Sequence, residues 1–438
     1  MAMNDSAVDA PLIVSVDDVI RAARSASGRY TMLLTNPCRI VPHPGMAERM
    51  MRVADDTGAT MVYAHFHDIA AGRGVELIDC QPGSLRDDFD FGLMVMVRTE
   101  TLKDCAVAME RCGYLTAGFY DLRLRLSERG PIVRIPEILY EADTAADCSQ
   151  FDYVDPRNRS AQIEREEAVT DYLRRTGGYI NGLDAAEADI DSGEFPVEAS
   201  VVIPVRNRVS TVGDAVRSAL AQKASFPFNV IVVDNFSTDG TTELLAGIAA
   251  SDSRLVHIRP DHEGLGIGGC WNMAFDHGQC GRFAVQLDSD DLYSGPDVLE
   301  RVVAKFREGR YAMVVGSYRL TDFELNTLPP GLIDHAEWTD SNGPNNLLRI
   351  NGMGAPRAFL TSLARRLRMP DVSYGEDYAM ALRISREYRI GRIFDELYLC
   401  RRWTGNSDAS PSPEKINRFN FYKDRLRTWE LSARRSMR

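Results

Sequence analysis

The sequence predicts an α/β fold with a mostly parallel sheet, and two observations support this class. From Ala199 onward, short apolar segments alternate with amphipathic ones, in the order strand, helix, strand, helix. Strands that alternate with helices form parallel sheets covered by helices on both faces. In addition, residues of the first third of the chain recur in the last third at a nearly constant spacing. We therefore expect a parallel α/β domain preceded by a truncated copy of itself.

Length and composition limit the classes of function. A chain of 438 residues is too long for one ordinary core, so two or three domains are expected. The net charge of −12 argues against a nucleic-acid partner, because such binding depends on basic surface. The eight cysteines show no CxxC pair and no zinc-ligand spacing, so reduced thiols are expected. No apolar run approaches ~20 residues and no signal-peptide pattern is present, so we expect a cytoplasmic protein.

An internal repeat relates residues 17–145 to residues 270–403. Nine residues of the first segment recur in the second at one spacing of 258. In the first segment they are Tyr120, Leu124, Arg125, Ser127, Ile132, Arg134, Ile135, Leu139 and Tyr140. Apolar positions are retained, but carboxylates are not: Asp288 aligns with Thr35, and Asp377 aligns with Phe119. This pattern is typical of a copy kept for packing or dimerisation rather than for chemistry.

Four segments are predicted from these patterns. They are a degenerate copy (1–145), a helical, acidic linker (146–197), an α/β domain (198–410) and a basic C-terminal helix (411–438). The linker contains a predicted helix at 159–175, and its apolar stripe consists of Ile163, Ala168, Val169 and Leu173.

The α/β domain alternates regularly. Predicted strands cover 201–204, 228–233, 255–258 and 283–287, and predicted helices cover 210–222, 238–250 and 269–277. Ligands of open parallel sheets bind beyond the carboxyl ends of the strands. Asn207, Asp234 and Asp288 each follow such an end, so we expect a binding site there.

The segment 281–291 carries the strongest chemical signal. Its apolar strand ends in Asp288, Asp290 and Asp291, three carboxylates within four residues. Because ionised groups are costly to bury, they are expected at the sheet edge, and their mutual repulsion favours a divalent cation such as Mg²⁺. The alternative is a polar turn that opens the next helix.

Four motifs in order resemble the family 2 glycosyltransferases of the GT-A fold. They are VIPVRNR (202–208), VVDNFSTDG (232–240), LDSDD (287–291) and GEDY (375–378). The resemblance covers residues 198–405, nearly half the chain, and the four motifs together are far more specific than any one alone.

The resemblance implies a role for each matching residue. The nucleotide-sugar donor, typically a UDP-sugar, would be bound by Pro204, Arg206, Asn207, Asp234, Asp288 and Ser289. Asp290, with Asp288, would hold Mn²⁺ or Mg²⁺ on the diphosphate. Asp377, beside Glu376, would deprotonate the acceptor hydroxyl and give inversion at the anomeric carbon. The alternative for the acidic pair is a helix N-terminus favoured by the helix dipole.

Two further segments are candidates for contacts with the acceptor or the diphosphate. Residues 398–403 resemble the QxxRW element of processive synthases, but Leu399 replaces the Gln, so processive synthesis is not expected. Arg401 and Arg402 are diphosphate candidates, and Trp403 stands where related enzymes often carry a metal-binding His. The other candidates belong to a loop-rich region before the base: Trp338, Asn351, Met353 and Arg357.

A glycine-rich segment offers a competing interpretation. Residues 264–269 satisfy GxGxxG, and Asp288 lies nineteen residues beyond, as in a dinucleotide-binding dehydrogenase. However, polar residues separate these glycines from the preceding strand, and two βα units come first. We instead expect Gly266 to let a loop pass close to the donor, with Asn272 in the helix beneath.

The C-terminal segment from Ser412 has eight basic and three acidic side chains, a net charge of +5. Apolar residues recur every three or four positions: Ile416, Phe419, Tyr422, Leu426 and Trp429. Such a helix either docks on the acidic domain or meets an anionic membrane surface, and docking is favoured because a single helix binds membranes weakly.

Three functional hypotheses remain. The first is an inverting, metal-dependent glycosyltransferase acting on a glycan or glycoconjugate acceptor. The second is a non-catalytic nucleotide-sugar-binding scaffold, against which the retained carboxylates argue. The third, and least favoured, is the dehydrogenase.

Overall fold

Two β-sheets organise the chain, one in each half. The structure is a computed structural model that describes residues 10–143, 154–403, 406 and 412–437. The predicted boundaries at 145–146 and 410–411 lie outside the described residues.

The N-terminal half contains six strands and four helices. The strands are β1 (Tyr30–Leu34), β2 (Arg39–Pro42), β3 (Met61–Asp68), β4 (Arg73–Val75), β5 (Met94–Arg98) and β6 (Ile132–Asp143). The helices are α1 (Val16–Ser25), α2 (Met46–Thr57), α3 (Thr99–Met109) and α4 (Gly118–Ser127).

The rest of the described chain contains nine strands and nine helices. The strands are β7 (Ala199–Val205), β8 (Phe228–Asp234), β9 (Leu255–Ile258), β10 (Phe283–Gln286), β11 (Leu292–Tyr293), β12 (Met313–Thr321), β13 (Thr327–Ile333), β14 (Arg357–Leu360) and β15 (Ile390–Arg401). The helices are α5 (Arg159–Thr176), α6 (Val212–Leu220), α7 (Thr241–Ser251), α8 (Ile267–Asp276), α9 (Val298–Gly309), α10 (Gly343–Arg349), α11 (Thr361–Leu367), α12 (Glu376–Ser385) and α13 (Pro413–Ser436).

The α/β fold class is confirmed, but the sheet of the second half is mixed rather than mostly parallel. Its strand order is β11-β15-β12-β14-β10-β7-β8-β9, with β13 paired to β12. Strands β10, β7, β8 and β9 are parallel, as the alternation predicts. Strand β14 lies antiparallel to both of its neighbours. It enters from the opposite end because a long loop, not a βα crossover, precedes it.

The two sheets share one strand order. Strands β1-β5-β3-β6-β2 of the first correspond to β10-β14-β12-β15-β11 of the second, with the same relative directions. The registers also agree: Met61 pairs with Ile132 in the first sheet, and Met313 pairs with Ile390 in the second.

The ends of the helices are set by local capping and turn residues. The sequence periodicity predicted these ends only approximately. Helix α1 begins at Val16, and Ser15 and Asp18 form a capping box there. Helix α7 begins at Thr241 rather than 238, because Gly240 still turns the chain in the left-handed region (φ +97°). Helix α8 begins at Ile267, two residues earlier than expected.

Helix α5, predicted inside a linker, is packed between the two halves. It contacts α4 on one side and α10 on the other. Ala168, Val169 and Leu173 are buried, as the predicted stripe requires, but Ile163 is 43% exposed. The predicted apolar stripe therefore included one residue too many, Ile163, at the amino end of the helix.

Helix α13 docks on the body of the protein, against α12. Its predicted apolar stripe was wrong at both ends, since Ile416 is 41% exposed and Trp429 is 58% exposed. The buried face is instead rich in charges: Lys423, Asp424, Leu426, Arg427, Glu430, Leu431 and Arg434.

Buried ion pairs explain how a charged helix face is accommodated. Asp424 is fully buried and pairs with Arg427 at 2.9 Å and with Arg86 of the N-terminal half at 3.4 Å. It also accepts a hydrogen bond from Ser84 at 3.0 Å. A buried charge is tolerated only when it is paired and hydrogen-bonded in this way. Asp424 therefore links the C-terminal helix to the first sheet's loops.

None of the described helices is both long enough and apolar enough to cross a membrane. The described cysteines are free, in agreement with the expected reduced state.

Replacing Asp424 with Ala should destabilise the protein strongly, because Arg86 and Arg427 would be left buried without their carboxylate. Removing one partner of a buried pair costs about 3–5 kcal/mol. Urea denaturation would measure this loss. The control is Asp395→Ala, which removes an 82% exposed partner of Arg301 and should cost less than about 1 kcal/mol. Equal losses for the two variants would contradict the role given to Asp424.

Candidate functional site

Most of the acidic side chains predicted for the site gather where the parallel strands end. Asp234 is the last residue of β8, and Asp288 follows β10 by two residues. Helix α12 begins with Glu376 and Asp377. Arg357, the first residue of β14, pairs with Asp377 at 2.9 Å. One sheet edge therefore carries the carboxylates of three separate motifs.

Asp234 is held firmly in an ionised state. Its carboxylate is fully buried and accepts hydrogen bonds from the Ser237 backbone N–H at 3.2 Å and the Thr242 hydroxyl at 2.5 Å. His257 Nε2 lies 3.3 Å away. Burial alone raises the pKa of Asp234, but the hydrogen bonds from Ser237 and Thr242 outweigh it and lower the pKa.

The loop after β7 is tied to the loop after β8. Asn207 lies in the left-handed region (φ +53°) and accepts a hydrogen bond from the Thr238 N–H at 2.8 Å. Its own N–H donates to the Ser237 hydroxyl at 2.9 Å. Pro204 is half-buried within β7, and Arg206 is exposed at the rim. Asn207 thus fixes the shape of this edge, and the exposed Arg206 side chain lies outside the packed core.

Asp288 is held at the tip of β10 by two neighbours. Its backbone N–H donates to the Tyr398 hydroxyl at 3.0 Å, and its Oδ1 accepts from Gln286 Nε2 at 2.9 Å. Burial raises the pKa of Asp288; Arg357 and Gln286 oppose the rise, and Asp290 and Asp377 add to it. Electrostatically, Asp288 is therefore a site short of positive charge.

Asp290 faces the end of β15. Its Oδ2 accepts hydrogen bonds from Trp403 Nε1 at 3.1 Å and Asn406 Nδ2 at 3.0 Å, and its backbone carbonyl accepts from Arg401 Nε at 2.5 Å. Trp403, an expected substitute for a metal-binding His, is thus a hydrogen-bond donor to the predicted metal ligand. Ser289, between the two acids, is buried.

Asp291 closes the turn. Its carboxylate accepts from the Arg401 N–H at 2.8 Å, and its own N–H donates to the Asp288 carbonyl at 3.2 Å. Burial, reinforced by Asp288 and Asp290, raises the pKa of Asp291 well above its usual range. The Arg401 guanidinium pairs with Asp214 at 3.2 Å and leaves Nη2 buried without a hydrogen-bond partner among the described residues.

The acidic pair of α12 divides into an exposed and a buried member. Asp377 is partly exposed, accepts from the Tyr378 N–H at 2.6 Å and faces Arg357. Glu376 is 8% exposed, and its Oε2 has no hydrogen-bond partner in the described parts of the chain. Burial, together with the charge of Asp377, raises the pKa of Glu376 to about 8. The pair therefore combines a neutral acid with a neighbouring carboxylate near neutral pH.

The glycine-rich segment serves close packing. A side chain at Gly266 or Gly268 would collide with the backbone of Val372 or Pro370, at 2.5 Å and 1.9 Å. Asn272, expected near the donor, instead donates to the Met369 carbonyl at 2.8 Å and accepts from its N–H at 3.0 Å. These contacts lock α8 against the loop that leads into α12.

Three predicted acceptor residues do not join the acidic edge. Trp338 follows β13, which reverses the chain, and it lines a cavity with Tyr311 and Tyr388 at the amino ends of β12 and β15. Asn351 accepts from Arg427 and donates to Asn420 of α13. Met353 is buried and its carbonyl accepts from Arg392. Arg402 donates through its backbone N–H to Thr321.

Sequence analysis missed two residues that organise the edge. Gln286 donates to Asp288 and accepts from the Arg357 N–H at 3.1 Å, so it couples β10 to β14. Arg357 was considered only for acceptor contacts, yet it lies between Asp288 and Asp377. A polar Gln inside an otherwise apolar strand was the available signal.

The acids fit a divalent cation that is shared with a substrate. In the described part of the chain, no three His, Cys, Asp or Glu side chains cluster as a complete metal site. Mg²⁺, however, is often held by one or two carboxylates plus substrate phosphates. Asp288 and Asp290 supply such a pair, and burial, with the charges of Asp290 and Asp377, raises the pKa of Asp288.

Comparison with known families gives this edge a context. Residues 200–360 match the family model described as Glycosyl transferase family 2. This matched segment contains the acidic edge except for α12 and the end of β15.

Individual relatives agree with that match. The chain is 35% identical over 130 residues to glycosyltransferase AglD of Haloferax volcanii, covering 29% of this chain and 20% of AglD. It is 34% identical over 122 residues to the putative teichuronic acid biosynthesis glycosyltransferase TuaG of Bacillus subtilis, covering 28% and 46%. The match spans less than half of either relative. The solved structure of S. aureus TarS 1-349 with UDP-GlcNAc aligns with a TM-score of 0.41 and 20% identity, covering 49% of this chain and 61% of TarS 1-349.

Glu376 should make stability sensitive to alkaline pH. Its pKa is about 8 when folded, against a usual 4.5, so the folded state holds the proton that the unfolded chain has released. Stability therefore falls as pH rises from about 5 to about 8. Glu376→Gln cannot ionise, and its urea midpoint should fall less than that of the wild type over this range. The control variant is Glu387→Gln, two residues beyond the end of the same helix and paired with Arg383. Parallel pH curves for the wild type and Glu376→Gln would contradict the assignment.

Proposed function

We propose that the chain is a glycosyltransferase that moves a sugar from a nucleotide-diphosphate sugar, in the first instance a UDP-sugar, to a hydroxyl acceptor with inversion. The observation that carries this proposal is the shared edge, where Asp288 faces Asp377 across Arg357 and Asp290 lies close to Asp288. The match of residues 200–360 to family 2 supports the reaction class.

The proposed donor site begins at Asp234 and Asn207. The buried, ionised carboxylate of Asp234 suits the N–H groups of a base such as uracil. Asn207 and Pro204 shape the loop that borders the nucleotide, with Arg206 and Gly266 at the rim. Mn²⁺ or Mg²⁺, held by Asp288 and Asp290, would neutralise charge on the leaving diphosphate. Arg401, buried beside Asp290 with an unpartnered Nη2, is placed to donate to the same anion.

Asp377 is the proposed general base. It would take the proton of the acceptor hydroxyl as that oxygen bonds to the anomeric carbon, and the bond from this carbon to the diphosphate would break. The ion pair with Arg357, at 2.9 Å, keeps the Asp377 carboxylate oriented. The neighbouring Glu376 carboxyl is buried and neutral near pH 7. Because attack and departure occur on opposite faces, the product would be inverted.

The proposed context is synthesis of a cell-surface glycan or glycoconjugate. The printed name of TuaG refers to teichuronic acid biosynthesis, which supports this choice.

We also propose that the N-terminal half is a degenerate copy of the second half that carries no chemistry of its own. The identical strand order, and the shared shifts of register between β3 and β6 and between β12 and β15, support common descent of the two sheets. At aligned positions, Thr35 replaces Asp288 and Phe119 replaces Asp377. Its proposed role is mechanical, through the contacts it makes with α5 and α13.

Asp377→Asn should abolish transfer while leaving donor binding intact, because the amide cannot accept the proton. General bases contribute about 10²–10⁴-fold, so a loss of that order is expected. Nucleotide release from UDP- and GDP-sugars with Mn²⁺ over an acceptor panel measures transfer, and a thermal shift with the same donors measures binding. Asp276→Asn, an exposed carboxylate paired with Arg368, is the control. Full activity of Asp377→Asn would eliminate it as the base.

The two copies can be compared at one aligned position. Asp288→Ala should reduce transfer at least about 100-fold through loss of electrostatic stabilisation of the leaving group, whereas Thr35→Ala should change it less than about twofold. The same nucleotide-release assay applies to both. A comparable loss in Thr35→Ala, with unchanged thermal stability, would show that the first copy takes part in the chemistry.

A further inference from the structure

The C-terminal helix α13 lies outside the matched family segment, yet it reaches the proposed catalytic base. A Cβ added to Gly375, immediately before Glu376, would lie 3.4 Å from the Tyr422 ring and 3.5 Å from the Lys423 side chain. Phe419, one turn earlier, stacks on Tyr374 with ring centroids 3.9 Å apart and planes 10° apart. One face of α13 therefore covers the start of α12.

Buried contacts fix α13 in this position. The Lys423 ammonium donates to the Asn351 carbonyl at 2.6 Å and lies 4.4 Å from the centre of the Tyr374 ring. Asn351 in turn donates to Asn420 at 3.0 Å. Further along, Glu430 pairs with Arg386 and Arg434. A side chain on this face is therefore held as rigidly as one in the sheet.

Among the described residues, the Tyr422 ring on this face of α13 makes no contact with another aromatic ring. It is half-buried, and no aromatic or cationic partner lies over it in the described parts of the chain. Phe419, by contrast, is stacked on Tyr374 and flanked by Lys415 and Arg418. Tyr422 is thus an aromatic surface beside Glu376 and Asp377.

We propose that Tyr422 is the residue against which the pyranose ring of the acceptor packs, at the start of the helix that carries Asp377. This inference rests on the proposed function, because it takes Asp377 as the base. Carbohydrate-sized sites are lined by aromatic surfaces with a few polar groups that fix orientation. Tyr422 supplies the surface, and Asp377 supplies the polar group. The buried, unpartnered Oε2 of Glu376 adds an acceptor for a second sugar hydroxyl.

Each element packed around this subsite contributes known charged or neutral groups. Asp377 belongs to α12 itself, Arg357 comes from β14, and Lys423 and Tyr422 come from α13. The helix α8 contributes Gly268, which carries no charge. A neutral sugar meets one anionic base and two nearby cations here.

The test uses the full chain with UDP and Mn²⁺ at saturation and a panel of methyl pyranosides as probes. Saturation-transfer NMR would measure binding of each glycoside. Tyr422→Leu should weaken binding at least tenfold, and Tyr422→Phe should stay within threefold, because the ring and not the hydroxyl makes the contact. Trp429→Ala, which removes an aromatic residue that is 58% exposed on the same helix, should have no effect.

Two different failures can be told apart. If no nucleotide-sugar raises the melting temperature in the presence of Mn²⁺, the proposed function fails. If donors bind but no methyl pyranoside does, or if Tyr422→Leu binds the glycosides as the wild type does, only the role of Tyr422 is overturned. A Tyr422→Leu protein that melts well below the wild type is replaced by Tyr422→Met, which removes the ring but keeps a long apolar side chain and should weaken glycoside binding at least threefold; unchanged binding would equally overturn the role.

Discussion

The structure depends on the electrostatic cost of gathering carboxylates at one edge of a sheet. Asp234 meets that cost with hydrogen bonds from Ser237 and Thr242. Asp377 meets it with Arg357. Asp291 accepts a hydrogen bond from the backbone of Arg401, but burial and its acidic neighbours still raise its pKa well above the usual range. Burial also raises the pKa of Asp288, in spite of Arg357 and Gln286. A divalent cation bound together with a diphosphate, as proposed, would neutralise this edge.

The elements outside the edge hold it in place. Helix α5 packs on both halves, and Asp424 of α13 joins Arg86 of the first half to Arg427. Lys423, next along the same helix, holds the Asn351 carbonyl and lies beside the start of α12. Since these pairs are buried, they are rigid and expensive to break. The N-terminal half is therefore connected to the proposed site through α13.

Sequence analysis predicted the strands and the acidic edge, because burial leaves apolar runs and forces carboxylates to strand ends. It did not predict β14, whose short strand and antiparallel entry leave no periodic signal in the sequence. Trp338 was misplaced because β13 reverses the chain and carries it to the far end of the sheet. The buried face of α13 was missed because its charges are neutralised by partners distant in sequence. Arg357 has no sequence signal for its pairing with Asp377, which lies twenty residues away.

The most direct measurement is a crystal soaked with a UDP-sugar and Mn²⁺, with anomalous diffraction recorded at the manganese edge. The account predicts one anomalous peak within coordination distance of the Asp288 and Asp290 carboxylates, bridged to the diphosphate, with Asp377 on the opposite face of the sugar's anomeric carbon. A manganese peak elsewhere, or a donor whose anomeric carbon faces away from Asp377, would contradict it.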